Sequence, residues 1–381
     1  MSSSSVIAQP APAPSTSTAS GASLSTVPPP SETLLALEHA LPSLGASKAA
    51  ENELRNLAAY RAPSRPTAFP TARLAAVLVL LHLTPEGELG VTLTTRSMRL
   101  RSHPGETALP GGRWEEGDEG VEGTALREAN EEIALPLPPP TSSSAPPSHL
   151  LHLTTLAAYT SRTLLVVIPC VYLLLEPSPS AEPYLAAVLQ KNEDEVDAIF
   201  HARLGGFLGL PAERTSTGAG AGAGEERDPP SSLKDELAPP SSSAGRMTTR
   251  SQHPSLSSPS PIPVPGDTYT YTYRDFTWLL SRPYRLHSFA SPAFPSAVTG
   301  LTADICIDVA CIAAYGPRSS SSSEGKEEEE KGRQTGFART AEGQMSWDEI
   351  TAEALRMPRG VQKGLLPEAP GRGGDQRTSA T

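Results

Sequence analysis

The chain has 381 residues, with 40 prolines, 30 glycines and only 5% aromatic side chains. Its formal net charge of -11 argues against a general nucleic-acid-binding protein, because nucleic-acid phosphates attract basic surfaces. The three cysteines, Cys170, Cys306 and Cys311, lie in apolar runs, which predicts buried thiols rather than a disulfide framework or a cysteine zinc site. Serine- and proline-rich blocks cannot bury a core, so we expect one folded core of roughly 200 residues decorated by disorder.

The N-terminal residues 1–31 are predicted to be a disordered tail, and no Lys or Arg precedes Lys48. A secretory signal and a mitochondrial transit peptide both need basic residues, and the final Ser379-Ala380-Thr381 is not an SKL-type peroxisomal address. No apolar run reaches the length of a membrane span. These signals favour a cytoplasmic location and no membrane partner.

Residues 32–70 are predicted to be a helical lead-in to the core, since leucines recur at helical spacing around a break at Pro42. The core is expected to begin near Thr71. Residues 74–83 form a nearly continuous apolar run, and 90–97 follow with β-prone side chains. The Pro85-Glu86-Gly87-Glu88 segment between them suits a turn, so the two runs are predicted to form a β-hairpin.

The strongest chemical signal lies between residues 105 and 135. Read as a helix, Arg127-Glu128-Ala129-Asn130-Glu131-Glu132 places Glu128 three and four residues before two further carboxylates. Like charges at this spacing destabilise an isolated helix, whereas a divalent cation such as Mg²⁺, which prefers oxygen ligands, would reverse the effect. The alternative is a solvated acidic helix after an ordinary turn. Upstream, Pro110-Gly111-Gly112 suits a tight turn close to a ligand.

A local basic patch precedes this helix in an otherwise acidic chain. Its members are Arg96, Arg99, Arg101, His103 and Arg113. A solvated loop is the alternative, but next to a metal site such side chains favour an anionic ligand, because guanidinium groups bind phosphate oxygens in pairs.

Two stretches together resemble a known family. Gly112, the Asp118/Glu119 pair and Arg127-Glu128-x-x-Glu131-Glu132 resemble the Nudix box of diphosphate hydrolases. Residues 93–112, LTTRSMRLRSHPGETALPGG, are similar to the signature of the coenzyme A diphosphatase branch. The one-residue-longer gap between the glycines and the arginine is also typical of that branch. The positions that keep their places in the signature are Arg96, Ser97, Arg101, Gly105 and Pro110-Gly111-Gly112.

Four positions depart from the family pattern. Thr92 stands where leucine is usual, Leu109 where phenylalanine is usual, and Thr299 where tryptophan is usual. Ala134 replaces the late glycine of the box. If that site needs a positive φ, alanine costs about 1 kcal/mol or more there.

The chain after the box alternates core-like and low-complexity segments. Residues 136–147 read as a Pro/Ser linker, and 150–159 and 163–175 are two predicted strands with a turn at Ser161-Arg162. Asn192 opens a predicted helix that runs through Phe200 and Leu204. Glu195-Val196 matches a family position where an acid precedes a valine. The alternative reading of Glu195 is an acid at a helix N-terminus, where its charge interacts favourably with the helix dipole.

The second half of the core is interrupted. Residues 211–266 are predicted to be a disordered insertion. The alternating tyrosines 269, 271 and 273 then predict a half-buried strand rather than a platform for a nucleobase. Residues 298–316 resemble the closing helix of the branch. The tail 317–381 is predicted to be disordered, with a stray helix at 345–357.

The resemblance implies an α/β/α sandwich with a mixed sheet, a Nudix hydrolase domain over 71–316, and metal-dependent hydrolysis of a small-molecule diphosphate. It implies that Mg²⁺ or Mn²⁺ is held by Glu128, Glu131 and Glu132. Arg127 would orient these glutamates, and Glu195 would accept the proton of the attacking water. The substrate-binding residues it implies are Arg96, Arg101, His103, Gly111 and Gly112. Coenzyme A or its thioesters would give 3',5'-ADP and 4'-phosphopantetheine or its acyl form.

Other functions stay open at this point. The chain could be a Nudix enzyme for ADP-ribose, NADH or a dinucleotide polyphosphate, a non-catalytic nucleotide-binding module, or a scaffold whose disordered segments bind partners. The resemblance allows a peroxisomal or mitochondrial location besides the cytoplasm. The sequence leaves the oligomeric state, the physiological metal and the acyl-chain preference open.

Overall fold

The computed structural model describes residues 21–23, 30–62, 68–137, 149–209, 262–263, 269–317 and 335–357. Within these ranges the helices are α1 Pro30–Leu44, α2 Lys48–Ala59, α3 Gly120–Ile133, α4 Ala181–Val188, α5 Gly300–Tyr315 and α6 Trp347–Arg356. The strands before α3 are β1 Gly21–Ser23, β2 Ala68–Pro70, β3 Leu74–Leu83, β4 Leu89–Arg96, β5 Thr107–Ala108 and β6 Gly111–Arg113. Those after it are β7 Leu150–Thr155, β8 Tyr159–Thr160, β9 Val166–Leu174, β10 Val196–Arg203, β11 Ile262–Pro263, β12 Thr270–Thr277, β13 Pro283–Ala290 and β14 Val298–Thr299.

The main sheet is mixed and has the strand order β10-β4-β3-β9-β7. Strands β3 and β9 run parallel at its centre, and the other pairs are antiparallel. The short strands β5, β6 and β8 pair with β4, β3 and β9 respectively. The predicted hairpin of residues 74–83 and 90–97 is confirmed as β3 and β4, which meet at Leu83 and Leu89.

The side chains of β3 alternate between two hydrophobic layers, one on each face of the sheet. Leu78 and Leu80 pack against α3, whereas Val79 and Leu81 pack against the helices α1, α2 and α5. Because a strand turns successive side chains to opposite faces, a long apolar strand requires cover on both sides. The α/β/α sandwich with a mixed sheet is therefore confirmed.

The glycines of the motif lie in a strand and not in the predicted turn. Gly112 is paired with Ala76 of β3, and the amide of Leu78 donates to the carbonyl of Pro110 at 2.7 Å. A Cβ on Gly111 would stand 2.4 Å from the carbonyl oxygen of Ala76. Glycine is therefore required at 111 for the close approach of two backbones. This pairing fixes the motif against the start of β3.

The predicted helical lead-in is integrated into the core. The side-chain amide of Asn56 in α2 donates to the carbonyl of Ala313 in α5 at 2.8 Å. Pro42 does not break the first helix as expected. It removes one backbone donor, but α1 continues to Leu44 and ends at Gly45, where φ is 70°.

The helix predicted from Asn192 through Leu204 is wrong. Val196–Arg203 forms the edge strand β10, which pairs antiparallel with β4. Val196, Phe200 and Leu204 are buried, and their four-residue spacing fits one face of a helix and one face of a strand equally well. Pairing of residues 196–203 with β4 selects the strand rather than the helix.

The C-terminal segment 335–357 differs from the predicted disordered tail. Phe337 stacks on the fully buried Tyr271 with ring centroids 4.0 Å apart, and the hydroxyl groups of Thr351 and Thr160 are 3.0 Å apart. The predicted stray helix is α6, and it is docked on the core: the guanidinium of Arg73 donates to the carbonyls at its C-terminal end.

Some of the other predictions concern described residues, and some concern residues outside the described ranges. The strand predicted from the alternating tyrosines is confirmed as β12, and the closing helix is α5. Cys170, Cys306 and Cys311 are buried, as expected. The predicted insertion 211–266, apart from 262–263, lies outside the described residues, as do most of the N-terminal tail and of the linker 136–147. Within the described ranges, no helix has both the length and the apolar character to cross a membrane.

The docking of α6 predicts a large effect for a single substitution. Ile350 is 3% exposed and packs with Trp278 and Tyr284, so Ile350→Ala is expected to lower the free energy of unfolding by about 3 kcal/mol. The exposed Glu342→Ala in the same segment is the control and should change it by less than about 0.5 kcal/mol. Denaturant unfolding measures both. Equal, small effects would show that the segment does not stabilise the core.

Candidate active site

Asp118 anchors the loop that leads into α3. Its carboxylate accepts hydrogen bonds from the Glu115 amide at 2.9 Å, the Thr124 hydroxyl at 2.8 Å and the Arg127 Nε at 2.8 Å. Burial opposes the charged form, but these donors outweigh it and hold the pKa of Asp118 below its ordinary value. An ionised Asp118 therefore joins the acidic loop to the second turn of the helix.

Arg127 connects four acceptors around the helix. Besides Asp118, its guanidinium donates to the carbonyl of Arg113 at 2.9 Å, to Glu131 Oε2 at 3.0 Å and to Glu128 Oε1 at 3.2 Å. The hydrogen bond to Asp118, with the charges of the glutamates, raises the pKa of Arg127 above its ordinary value. Arg127 thus lies where it fixes the rotamer of Glu128, although Glu131 at its other side is 52% exposed.

Glu132 is the buried carboxyl of the site. It is 7% exposed, and its Oε2 accepts a hydrogen bond from the amide of Gly111 at 3.1 Å. Burial raises the pKa of Glu132 to about 8. The Gly111 amide and the charge of Arg96 oppose this rise, whereas the nearby Glu128 and Glu195 add to it. The carboxyl of Glu132 therefore links α3 to β6, although its ionisation is unfavourable.

Glu128 lies against the backbone of Gly112. A Cβ added at residue 112 would stand 2.3 Å from Glu128 Oε1, so any side chain there would displace the carboxylate. Burial raises the pKa of Glu128, Arg127 opposes the rise, and the charges of Glu131 and Glu195 increase it. Glycine at 112 is therefore needed for the position of Glu128 rather than for a turn.

Glu128, Glu132 and Glu195 lie close together at one end of the sheet, where the charge of Glu195 raises the pKa of Glu128 and the charges of Glu128 and Glu195 raise that of Glu132. Glu195 comes from the segment before β10, and the backbone holds it there: the Ser97 amide donates to the Glu195 carbonyl at 2.8 Å. Among the described residues, no three His, Cys, Asp or Glu side chains already stand as a metal-binding cluster. These carboxylate oxygens nevertheless suit a hard divalent cation, because such a cation would offset the cost of their negative charge. Glu131, which faces Arg127, contributes least to this arrangement.

The basic patch is divided by the structure. Arg96 is half-buried, its charge acts on Glu132, and its Nε is buried without a hydrogen-bond partner among the described residues. Arg99 instead pairs with Asp194 at 3.2 Å, and His103 pairs with Glu106 at 2.8 Å. Arg101 and Arg113 are exposed. Of the predicted anion-binding side chains, the structure brings Arg96 to the carboxylates.

Two features of the site do not follow from the sequence patterns above. Asp118 was recognised only as part of a motif, although its position nine residues before Arg127 could have indicated an ion pair across the helix start. The Gly111 amide, which donates to Glu132, left no signal in the sequence, because it depends on the register of β6 with β3.

Part of the chain is similar to known proteins. Residues 72–201 match the family model described as NUDIX domain. "Nudix hydrolase 15, mitochondrial" of Arabidopsis thaliana is 40% identical over 134 residues, which is 35% of this chain and 41% of that protein. "Peroxisomal coenzyme A diphosphatase 1, peroxisomal" of Saccharomyces cerevisiae is 37% identical over 133 residues, 35% of this chain and 36% of that protein. The chain thus spans about two fifths of the length of these relatives.

A solved structure, the Nudix hydrolase RenU from M. Smegmatis, aligns at 23% identity with a TM-score of 0.25. It covers 35% of this chain and 71% of that chain.

The end of α3 generates a prediction about stability. Ala134 caps the helix in the left-handed region, at φ 53° and ψ 31°. Because its Cβ is strained there, Ala134→Gly should raise the free energy of unfolding by about 1 kcal/mol. Ala129→Gly in the same helix is the matched control and should lower it by about 1 kcal/mol or more. Denaturant unfolding measures both, and a loss of stability in Ala134→Gly would contradict the strain.

Proposed function

We propose that this chain, whose residues 72–201 match the NUDIX domain model, is a metal-dependent diphosphatase of coenzyme A or its thioesters. A water oxygen bonds to one phosphorus while the bond from that phosphorus to the bridging oxygen breaks. The products are 3',5'-ADP and 4'-phosphopantetheine, or its acyl form from a thioester. The observation that carries the reaction type is the group of neighbouring carboxyls at Glu128, Glu132 and Glu195, next to the two glycines of β6.

The residues assigned to the metal are Glu128 and Glu132, with Glu131 as a further carboxylate on the same helix. A bound Mg²⁺ or Mn²⁺ would neutralise the charge of the diphosphate and polarise a water molecule. Arg127 holds Glu128 in place through the hydrogen bond at 3.2 Å. The amide of Gly111 holds Glu132, so two different elements fix the two carboxylates.

The remaining roles concern the substrate and the proton. A carboxylate oxygen of Glu195 accepts the proton of the attacking water, because Glu195 lies close enough to act on both other carboxyls. Arg96, whose Nε lacks a partner among the described residues, binds a phosphate oxygen. Gly111 and Gly112 let the backbone approach the ligand. Arg101 and His103 lie on the loop after β4, where they contact the rest of the substrate.

The choice of substrate class rests on the yeast relative and on the segment before the glycines. That relative is named as a coenzyme A diphosphatase and aligns at 37% identity over 133 residues. Arg96, Gly105 and Pro110 of the segment keep the places of the corresponding signature. The Arabidopsis relative has a name that specifies no substrate. A diphosphatase for ADP-ribose, NADH or a dinucleotide polyphosphate is therefore the alternative that the experiment must separate.

The proposed location depends on different observations. Sequence signals favour the cytoplasm, whereas the names of the two relatives contain a mitochondrial and a peroxisomal location. Immunofluorescence of the untagged protein separates these three compartments.

The substrate proposal predicts a rank order. With Mg²⁺ or Mn²⁺ in one buffer, kcat/KM should be higher for coenzyme A than for 3'-dephospho-coenzyme A, ADP-ribose, NADH or a dinucleotide polyphosphate, and mass analysis should identify 3',5'-ADP. Glu128→Gln should lower kcat at least about a hundredfold, because a lost metal ligand forfeits charge stabilisation. The exposed Glu116→Gln in the preceding loop is the control and should keep full activity.

Each outcome of that experiment has a distinct meaning. A higher kcat/KM for ADP-ribose, NADH or a dinucleotide polyphosphate would contradict the coenzyme A assignment and leave the diphosphatase standing. Full activity in a folded Glu128→Gln variant would contradict the assignment of the carboxylate site. A protein that hydrolyses none of the panel would contradict the enzymatic function.

A further inference from the structure

The turn between β8 and β9, residues 161–165, lies at the end of the main sheet that carries the carboxylates. The strand β9, which follows the turn, runs parallel to β3 and begins its pairing at Leu74. Two residues further along β3, Ala76 pairs with Gly112 of the carboxylate site. The turn carries Arg162, an exposed residue that none of the roles above uses.

The charge of Arg162 reaches a carboxylate on another element at this end of the sheet. The hydrogen bond from His103 Nδ1, 2.8 Å long, is the largest cause that lowers the pKa of Glu106, and the charges of Arg162 and Arg96 lower it further. Exposed charges interact over about one Debye length, roughly 10 Å. Arg162 therefore approaches Glu106 across the end of the sheet, although the two residues are on elements that do not pair.

Arg96 links Glu106 to the carboxylate site. The Arg96 amide donates to the Glu106 carbonyl at 2.9 Å, next to the pairing of Thr95 with Thr107. Residues directly opposite each other in an antiparallel pair place their side chains on the same face. The charge of Arg96 acts on Glu106 and also on Glu132. Arg96 therefore faces both carboxylates, whereas Arg162 comes to Glu106 from the turn between β8 and β9.

The backbone of this turn is fixed although Arg162 is exposed. The Ser161 amide donates to the Leu165 carbonyl at 2.9 Å, and the Ser161 hydroxyl accepts a hydrogen bond from the Leu165 amide at 3.0 Å. Leu164 is 3% exposed and packs in one cluster with Ile350 of α6, so the docked C-terminal helix anchors the turn. A fixed backbone reduces the entropy that is lost when a side chain binds a ligand.

Two guanidinium groups act on one carboxylate at this place. Arg96 and Arg162 carry two positive charges and Glu106 carries one negative charge, so one positive charge is left over. None of the described residues accepts a hydrogen bond from the Arg162 side chain, and the Nε of Arg96 is buried without a partner among them. A guanidinium group can donate to two phosphate oxygens at once. The remaining charge and the available donors therefore suit a phosphate group that the metal does not hold.

We propose that Arg162 is a further substrate-binding residue, which donates hydrogen bonds to a phosphomonoester of the substrate next to Arg96. The inference rests on the proposed function, because in coenzyme A this group is the phosphate on the 3' oxygen of the ribose. ADP-ribose and NADH contain a diphosphate but lack this phosphate. Arg162 therefore selects coenzyme A and its thioesters from other diphosphates of adenosine.

The test is a calorimetric titration of the untagged full-length protein with 3',5'-ADP and with 5'-AMP in Mg²⁺. The two nucleotides differ only in the 3'-phosphate, and wild type should bind 3',5'-ADP more tightly. Arg162→Gln should weaken the binding of 3',5'-ADP about 10- to 100-fold, because hydrogen bonds to a charged group are lost, and should leave that of 5'-AMP unchanged. Arg162→Lys should recover part of the loss, because lysine keeps the charge but not the planar fork.

A matched variant and steady-state kinetics make the test specific. Arg274→Gln removes an exposed arginine from β12 and should leave both affinities unchanged. Arg162→Gln should raise KM for coenzyme A about tenfold or more at unchanged kcat, as expected when uniform binding is lost, and should not change KM for 3'-dephospho-coenzyme A. Circular dichroism checks that each variant is folded.

The outcomes separate this proposal from the proposed function. The proposal is overturned if wild type binds the two nucleotides equally, if a folded Arg162→Gln binds 3',5'-ADP as tightly as wild type, or if that variant loses affinity for both nucleotides by the same factor. A wild type that hydrolyses no diphosphate but binds 3',5'-ADP through Arg162 would contradict the proposed reaction and support the phosphate-binding role.

Discussion

The carboxylate site depends on one buried interaction, the hydrogen bond from the Gly111 amide to Glu132. It joins α3 to the strand that carries the two glycines, and it places an acid where burial raises its pKa to about 8. One amide cannot offset the burial of that charge together with the repulsion from two neighbouring glutamates. Ionisation of Glu132 is therefore costly, and this is the constraint that the proposed cation would relieve.

A second set of contacts gathers three carboxylates around Arg127. Arg127 bridges Asp118, Glu128 and Glu131, so the loop, the helix and the strand end are joined by one guanidinium. Asp118 is kept ionised by its donors and can always pair with Arg127. The fork geometry of arginine serves several acceptors at once, which lysine could not do. The position of Glu128 thus follows from Arg127 on one side and the bare backbone of Gly112 on the other.

The sequence predicted the parts that local patterns determine. The strands β3 and β9 and the helix α3 follow from periodicity and motif spacing, whereas the positive φ of Ala134 entered only as a condition. It failed at β10, because a spacing of four residues fits both a helix face and a strand face. It predicted the helix at 345–357 but not that residues 335–357 dock on the core, where Phe337 stacks on Tyr271 despite a polar, charged neighbourhood in the sequence. The meeting of Arg96 with Glu132 depends on strand register, which no local pattern contains.

The most direct test compares the free energies of unfolding of wild type and Glu132→Gln, in chelator and in saturating Mg²⁺, at about pH 9. A carboxyl with a raised folded-state pKa loses stability as the pH rises from its unfolded pKa to about 8. In chelator, Glu132→Gln should therefore be more stable than wild type by at least about 1.4 kcal/mol, the value of one pKa unit. In Mg²⁺ the order should reverse, because only wild type keeps the full set of ligands. A wild type that is the more stable protein in chelator would contradict the account.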